Sequence, residues 1–322
     1  MDWIKIILEV VGGLTLFLYG VTRLSESLQE VAGDRMKTLL ARFTTHPLAG
    51  VATGTVATTL LDSSSVTIIM VVALVNAGLL PFAQAIGVIM GANIGTTLSS
   101  QLFAFQINEY APIVLAAGFL GYFLGKNEFI KHLGLVMFSF GLIFFGLNVI
   151  EGAAEPLKDY PPFVGWLRGL ENPWWGVVVG AGFTVLIQSS SATLAIVITL
   201  GAQGMVSLPA GVAIMLGAEI GTCADTLIAS VGRSREALRA GIFHLLFNVT
   251  TVLIGVSLAG PLARVATAFA PAGNVARQIA NAHLLFNVSG VLLFIWFVPF
   301  MARALTHLIP DREAYRPKTK TA

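Results

Sequence analysis

Two short polar sequences interrupt long apolar stretches of this 322-residue chain. They are Asp62-Ser63-Ser64-Ser65 and Gln188-Ser189-Ser190-Ser191, and they lie 126 residues apart. Serine hydroxyls, together with the free backbone N–H groups at the start of a helix, are suited to binding an anion, and the helix dipole adds a partial positive charge. A lone serine run in a membrane helix is more typical of close helix packing. Because the polar residues recur in both copies, the pattern favours ligand binding over packing.

The duplication extends well beyond the serines. With Pro47 set on Pro173, 18 of the 50 positions from 47 to 96 are identical in the two copies. Both copies continue into a Gly-Ala-x-Ile-Gly-Thr sequence, in which x is Asn93 in the first copy and Glu219 in the second. The pattern predicts two structural repeats, at about 14–125 and 140–251, and a closing helix at 282–301.

The composition is that of a membrane protein. Hydrophobic residues make up 56% of the chain and charged residues only 11%, against roughly 25% charged residues in soluble proteins. We expect one transmembrane domain over residues 1–309 and a disordered cytoplasmic tail over 310–322. A single cysteine excludes a disulfide within the chain and a multi-cysteine metal site. The basic residues are scattered in short loops, which argues against nucleic acid as a partner.

Hydropathy predicts an all-α integral membrane fold with about seven full crossings. The two stretches that carry the serines, 48–78 and 174–204, are interpreted as re-entrant helical hairpins, because a single crossing would expose four polar residues to lipid. The predicted spanning stretches are 4–22, 82–105, 110–125, 131–150, 209–230, 238–260 and 282–301.

The distribution of basic residues predicts the orientation in the membrane. With this topology, 14 of the 19 lysines and arginines fall on one side, so the positive-inside rule places the C-terminus in the cytoplasm and the N-terminus outside. Three crossings separate the starts of the two repeats, and an odd number inverts the second copy. Inverted repeats are typical of transporters that work by alternating access.

Three carboxylates lie within apolar segments, where charged side chains are costly and default to functional hypotheses. They are Asp62, Glu219 and Asp225, and each is a candidate for binding Na+ or a proton. Glycines flank the Gly-Ala-x-Ile-Gly-Thr sequences, which predicts a broken spanning helix in each repeat, with Thr96 or Thr222 beside freed carbonyls that coordinate Na+. The sequence His-Leu-Leu-Phe-Asn begins at both 244 and 283, and we expect its polar residues to form hydrogen bonds across the helices.

Taken together, these motifs resemble the type II sodium/phosphate cotransporters of bacteria and animals. The resemblance covers about residues 10–300 and implies secondary active, sodium-coupled uptake of inorganic phosphate by a protein that is not an enzyme. It implies phosphate contacts from Ser63, Ser64, Ser65, Ser189, Ser190 and Ser191, and coupling-ion contacts from Gln188, Asn93, Thr96 and Thr222, to which the carboxylates Asp62, Glu219 and Asp225 are added. The resemblance implies Na+ as the coupling ion, and no other cofactor and no transition metal are expected.

The chain departs from the family pattern at two positions. Asp62 stands where an amide is usual, and Glu219 stands where asparagine is common, so transport of another anion or coupling to H+ is kept as an alternative. An anion channel and an intramembrane serine hydrolase are more distant alternatives, the latter because neither serine motif has a Gly-x-Ser-x-Gly elbow. We expect a multi-pass protein of the bacterial plasma membrane, and a homodimer by analogy alone.

Overall fold

The computed structural model describes residues 2–105 and 110–311. The predicted disordered tail therefore lies almost wholly outside the described residues. Over the described ranges the protein is built from helices, and the helices of the first half are α1 (Trp3–Phe43), α2 (Pro47–Leu61), α3 (Ser64–Asn76), α4 (Phe82–Phe103), α5 (Ala111–Leu124) and α6 (Glu128–Ala154).

The second half begins with the short helix α7. Its helices are α7 (Pro161–Gly169), α8 (Pro173–Ile187), α9 (Ser190–Ala202), α10 (Leu208–Gly221), α11 (Cys223–Ser230), α12 (Arg235–Ser257), α13 (Ala259–Ala268), α14 (Val275–Phe294) and α15 (Val298–Leu308). The predicted closing helix is thus part of a longer α14–α15 segment with a 3-10 turn at Ile295–Phe297.

The helix boundaries repeat at the spacing found in the sequence. α2, α3 and the start of α4 correspond to α8, α9 and the start of α10, each 126 residues further along. Each serine motif falls at a two-residue break between helices of 15 and 13 residues. The equal boundaries follow from the shared signals, a proline in the first turn of α2 and α8 and a capping serine before α3 and α9.

Five segments among the described residues are long and apolar enough to cross a membrane. They are Trp3–Glu30, Glu128–Leu157, Leu208–Ser230, Arg235–Ser257 and Val275–Leu308. The other two predicted crossings are not among them, and α5 has only 14 residues. The protein is therefore a multi-pass helical membrane protein, and seven crossings remain a prediction.

The predicted break at Gly91–Thr96, in the spanning helix of the first repeat, is wrong. α4 runs without interruption through Gly91–Thr96. Its glycines serve packing instead, because a Cβ on Gly91 would lie 2.1 Å from the carbonyl oxygen of Val51 in α2. In the second copy Gly217 approaches Val177 of α8 in the same way, and the helix is interrupted only at Thr222, which keeps helical dihedral angles. Freed carbonyls at Asn93–Thr96 are therefore not available for a cation.

Buried apolar side chains form two clusters, one around each helix pair that carries a serine motif. The first contains side chains of α2, α3 and α4 with the C-terminal part of α1 and residues of α12 and α15. The second contains side chains of α8, α9 and α10 with the N-terminal part of α1, α6 and α14. Each serine motif is thus held by its own apolar core, and α12 and α14 contribute to both.

Candidate functional site

The two serine motifs have the same backbone conformation. Asp62 and Gln188 end α2 and α8 in the left-handed region, with φ of 51° and 55°, which is unusual for residues other than glycine. Ser63 and Ser189 follow in extended conformation, and their hydroxyl oxygens cap the next helix by accepting from the N–H of residues 66 and 192 at 3.2 and 3.1 Å. The capping role leaves the hydroxyl protons of these two serines, rather than their acceptor oxygens, for a ligand.

The first serine motif contacts the second copy directly. The Oγ of Ser65 lies 3.4 Å from Thr222 Oγ1 and donates to Asp225 Oδ2 at 3.3 Å. Thr222 is buried, and Asp225 is half-buried in the first turn of α11. Three predicted site residues, separated by about 160 positions in the sequence, are therefore brought together.

The first position of each motif differs between the two copies. Asp62 accepts a hydrogen bond from Ser99 of α4, within its own copy. The Gln188 side chain is exposed and forms no hydrogen bond with another described residue. Ser99 and Asp225 are themselves equivalent positions, 126 residues apart. The Asp62 carboxylate thus contacts Ser99, and the residue equivalent to Ser99 in the second copy is a carboxylate, Asp225.

Glu219 lies at the centre of a buried hydrogen-bond network. It is 4% exposed, and its Oε1 lies 2.8 Å from His283 Nε2 and accepts from Asn287 Nδ2 at 3.0 Å. The Nδ1 of the same histidine lies 2.8 Å from Ser100 Oγ in α4. A carboxylate among apolar helices is costly unless it is paired and hydrogen-bonded, and these contacts provide the partners.

The first His-Leu-Leu-Phe-Asn sequence makes corresponding contacts with the two copies exchanged: its asparagine contacts the first copy and its histidine the second. Asn248 accepts from Asn93 Nδ2, and His244 Nδ1 lies 2.8 Å from Thr226 Oγ1. Asn248 also donates to the backbone carbonyl of Glu219 at 2.8 Å. The hydrogen bonds expected across the helices are therefore present, and they join α12 and α14 to both repeats.

Sequence reasoning missed Ser99, Ser100 and Thr226 as members of this network. A usable signal was present, because Ser100 and Thr226 are separated by the same 126 residues as the serine motifs. Each is the hydroxyl partner of one histidine of the duplicated His-Leu-Leu-Phe-Asn sequence.

Oxygen atoms suited to a small cation are concentrated near these contacts. The buried Oδ1 of Asn93 has no hydrogen-bond partner among the described residues. Thr96, also buried, donates to the carbonyl of Asn93 at 2.8 Å. Carboxylate, amide and hydroxyl oxygens are hard ligands of the type that alkali and alkaline-earth cations prefer. The residues present therefore fit Na+ with side-chain ligands.

These features define a multi-pass helical membrane protein with two equivalent polar turns and a buried network between them. Comparison with protein families identifies the class: the Na+/Pi-cotransporter family model matches residues 16–152 and again 164–300. The chain belongs to this family, which is a family of transporters rather than enzymes.

Individual relatives agree with this assignment. The chain is 30% identical over 265 residues to the uncharacterized protein YqeW of Bacillus subtilis (strain 168), covering 82% of this chain and 85% of the relative. It is 26% identical over 250 residues to Escherichia coli (strain K12) YjbB, provisionally named an inorganic phosphate export protein. That match covers 77% of this chain and 46% of the relative, so the chain spans about half the length of YjbB.

A third relative is a human transport protein whose name includes sodium. The chain is 35% identical over 100 residues to the human sodium-dependent phosphate transport protein 2C, which covers 30% of this chain and 16% of that protein. No solved structure matches the chain.

Proposed function

We propose that this protein is a secondary active transporter that takes up inorganic phosphate with Na+ by alternating access. The observation that carries the proposal is the pair of identical serine turns, each of which places hydroxyl groups and a helix N-terminus at a break between two helices. Free N–H groups and the positive end of the helix dipole favour an oxyanion at such a turn. Ser64, Ser190 and Ser191 are buried there, so bound phosphate is shielded from bulk water.

The coupling ion in this proposal binds before phosphate. Asp62 and Asp225 each lie beside a serine hydroxyl, and their negative charge opposes phosphate until a cation neutralises it. Thr222 and the free Oδ1 of Asn93 supply further oxygens, and Thr96, Gln188 and Glu219 complete the set of candidate coupling residues. Binding of Na+ lowers the negative potential and orders the first serine motif through Ser65.

The proposed placement in the membrane follows from helix length. Helices of 15 and 13 residues rise about 20 Å, less than the roughly 30 Å of the hydrocarbon core. Two such helices joined at a polar turn suit a re-entrant hairpin, and two hairpins entering from opposite sides suit inverted repeats with about seven full crossings. The N-terminus then lies outside and the C-terminus in the cytoplasm of a bacterial inner membrane.

Uptake of labelled phosphate into proteoliposomes tests the proposal. We expect uptake with an inward Na+ gradient and little uptake when K+ or an H+ gradient replaces it. Ser65→Ala and Ser191→Ala are expected to reduce uptake at least tenfold, since each removes a hydroxyl that contacts an anion. Ser257→Ala is the matched control, because its Oγ donates only to the backbone of its own helix. Equal uptake without a Na+ gradient excludes sodium coupling.

Export is a second candidate direction, favoured by the similarity to YjbB. The same vesicles loaded with phosphate distinguish the two directions. Efflux that requires Na+ on the vesicle interior, with no uptake under the opposite gradient, supports export.

A further inference from the structure

A cavity of about 670 Å³ lies at the start of α12, away from the serine turns. It is lined by Arg233, Arg235, Glu236 and Asp311, among others. Neither Arg233 nor Arg235 forms an ion pair or hydrogen bond through its side chain with another described residue. Glu236 also lines the cavity but pairs with neither arginine within the part of the chain that the structure describes, so two guanidinium groups are left to favour an anion as the occupant.

A carboxylate of the chain forms an ion pair with a third arginine at the edge of this cavity. Asp311 accepts from Nη2 of Arg239 at 2.7 Å, and the Nε of the same arginine donates to the carbonyl of Ile309 at 2.9 Å. The Arg239 side chain is 2% exposed, whereas that of Asp311 is 69% exposed. The buried arginine is therefore held in place, whereas its carboxylate partner lies in an exposed, non-helical segment that follows α15.

The cavity is also connected to the first serine motif. The backbone N–H of Ser234, one of the residues lining the cavity, donates to Asn76 Oδ1 at 2.8 Å. Asn76 is the last residue of α3, and Ser64 is the first. The loop before α12 is therefore hydrogen-bonded to the end of α3 that lies opposite its serines.

We propose that this cavity binds a phosphate group, either free or on a lipid headgroup, through Arg233 and Arg235. Asp311 occupies the position of one phosphate oxygen and competes with the ligand for Arg239. Arginine suits this role because its planar fork contacts two phosphate oxygens at once. Binding does not depend on the proposed transport function, whereas an effect on transport rests on it.

Binding measurements on detergent-purified protein test the proposal. Inorganic phosphate is titrated against a Ser65→Ala/Ser191→Ala protein, so that the remaining binding reports the cavity rather than the serine turns. Nanodiscs of phosphatidylglycerol or of phosphatidylcholine form the second arm. We expect Arg233→Gln/Arg235→Gln to weaken binding at least tenfold and Asp311→Asn to strengthen it several-fold. Arg264→Gln, an exposed arginine of α13, is the matched control.

The two arms identify the source of the phosphate group. If inorganic phosphate binds in an arginine-dependent way, the ligand is a free anion. If only phosphatidylglycerol stabilises the protein in an arginine-dependent way, the ligand is a lipid headgroup. The proposal is overturned if neither probe responds to Arg233 and Arg235, or if Asp311→Asn weakens binding in a protein that still elutes as a single species. If the natural protein shows no sodium-driven uptake but binds its ligand in an arginine-dependent way, the proposed function is overturned and the proposed cavity site is retained.

Discussion

Gln188 allows backbone strain and side-chain function to be separated at the second serine turn. Its φ of 55° places it in the left-handed region, which costs an L-residue roughly 1–2 kcal/mol. Glycine has no such cost but loses about 0.5–1 kcal/mol of extra conformational entropy on folding. The exposed side chain forms no hydrogen bond within the described chain, so its removal costs little. Gln188→Gly is therefore expected to stabilise the protein by about 0.5–1 kcal/mol.

Gln188→Ala is the matched variant, because it removes the same amide and keeps the left-handed strain. Thermal unfolding in detergent should place Gln188→Gly above Gln188→Ala by up to about 4 °C, since 1 kcal/mol shifts the melting temperature by roughly 2–4 °C in chains of about 150–250 residues and by less in longer ones. Sodium-driven phosphate uptake should fall in both variants, since both lack the amide that we assign to the coupling ion.

Two results would refute this reasoning. Equal melting temperatures for the glycine and alanine variants would show that the turn is not strained. Full transport by Gln188→Gly would show that the amide has no part in the site, and the strained residue would then lack a functional explanation.

Three further predictions concern helix packing, the buried network and the cap. Gly180→Ala should destabilise the protein by about 1–3 kcal/mol, because its Cβ would lie 2.2 Å from a carbonyl oxygen of α10; Gly182→Ala, with no neighbour within 4 Å, should not lower the melting temperature. Glu219→Ala should cost about 1–3 kcal/mol by leaving buried donors without an acceptor, whereas Glu219→Gln retains one acceptor and should melt closer to the natural protein. Ser63→Ala should cost about 1 kcal/mol through loss of the helix cap, and a loss no larger than that of Ser257→Ala would contradict the capping role.

The helical breaks at the serine motifs were accessible from the sequence because the local signals agree. A polar turn inside an apolar run, a serine at the capping position and a duplication without gaps all indicate the same boundaries, and the structure places them at Asp62–Ser63 and Gln188–Ser189. Local signals of this kind act within a few residues and do not depend on the tertiary fold.

The predicted break in α4 failed because a glycine has two distinct uses in a membrane helix. It permits an unusual backbone conformation, and it also permits close approach of a second helix. Gly91 has the second use, because the space for its Cβ is taken by the carbonyl oxygen of Val51. Only the position of α2 decides between these two uses of glycine, and the sequence around Gly91 does not specify where α2 lies.

The buried network connects the two sequence duplications of this chain. α4 and α10–α11 are equivalent at 126 residues, and α12 and α14 carry the same motif at 39 residues. Exchange of α4 with α10–α11, and of α12 with α14, turns one set of contacts into the other. The contact of Asn93 with Asn248 then corresponds to that of Glu219 with Asn287. The contact of Ser100 with His283 likewise corresponds to that of Thr226 with His244. α12 and α14 thus act as equivalent partners of the two repeats, although they lie outside the run of sequence identity. The correspondence is incomplete, because the first copy has an amide where the second has a carboxylate, and because Asn248 donates to the Glu219 carbonyl whereas Asn287 donates to that of His283. The buried carboxyl group at the centre of the network, with its hydrogen bonds to His283 and Asn287, therefore has no equivalent in the first copy.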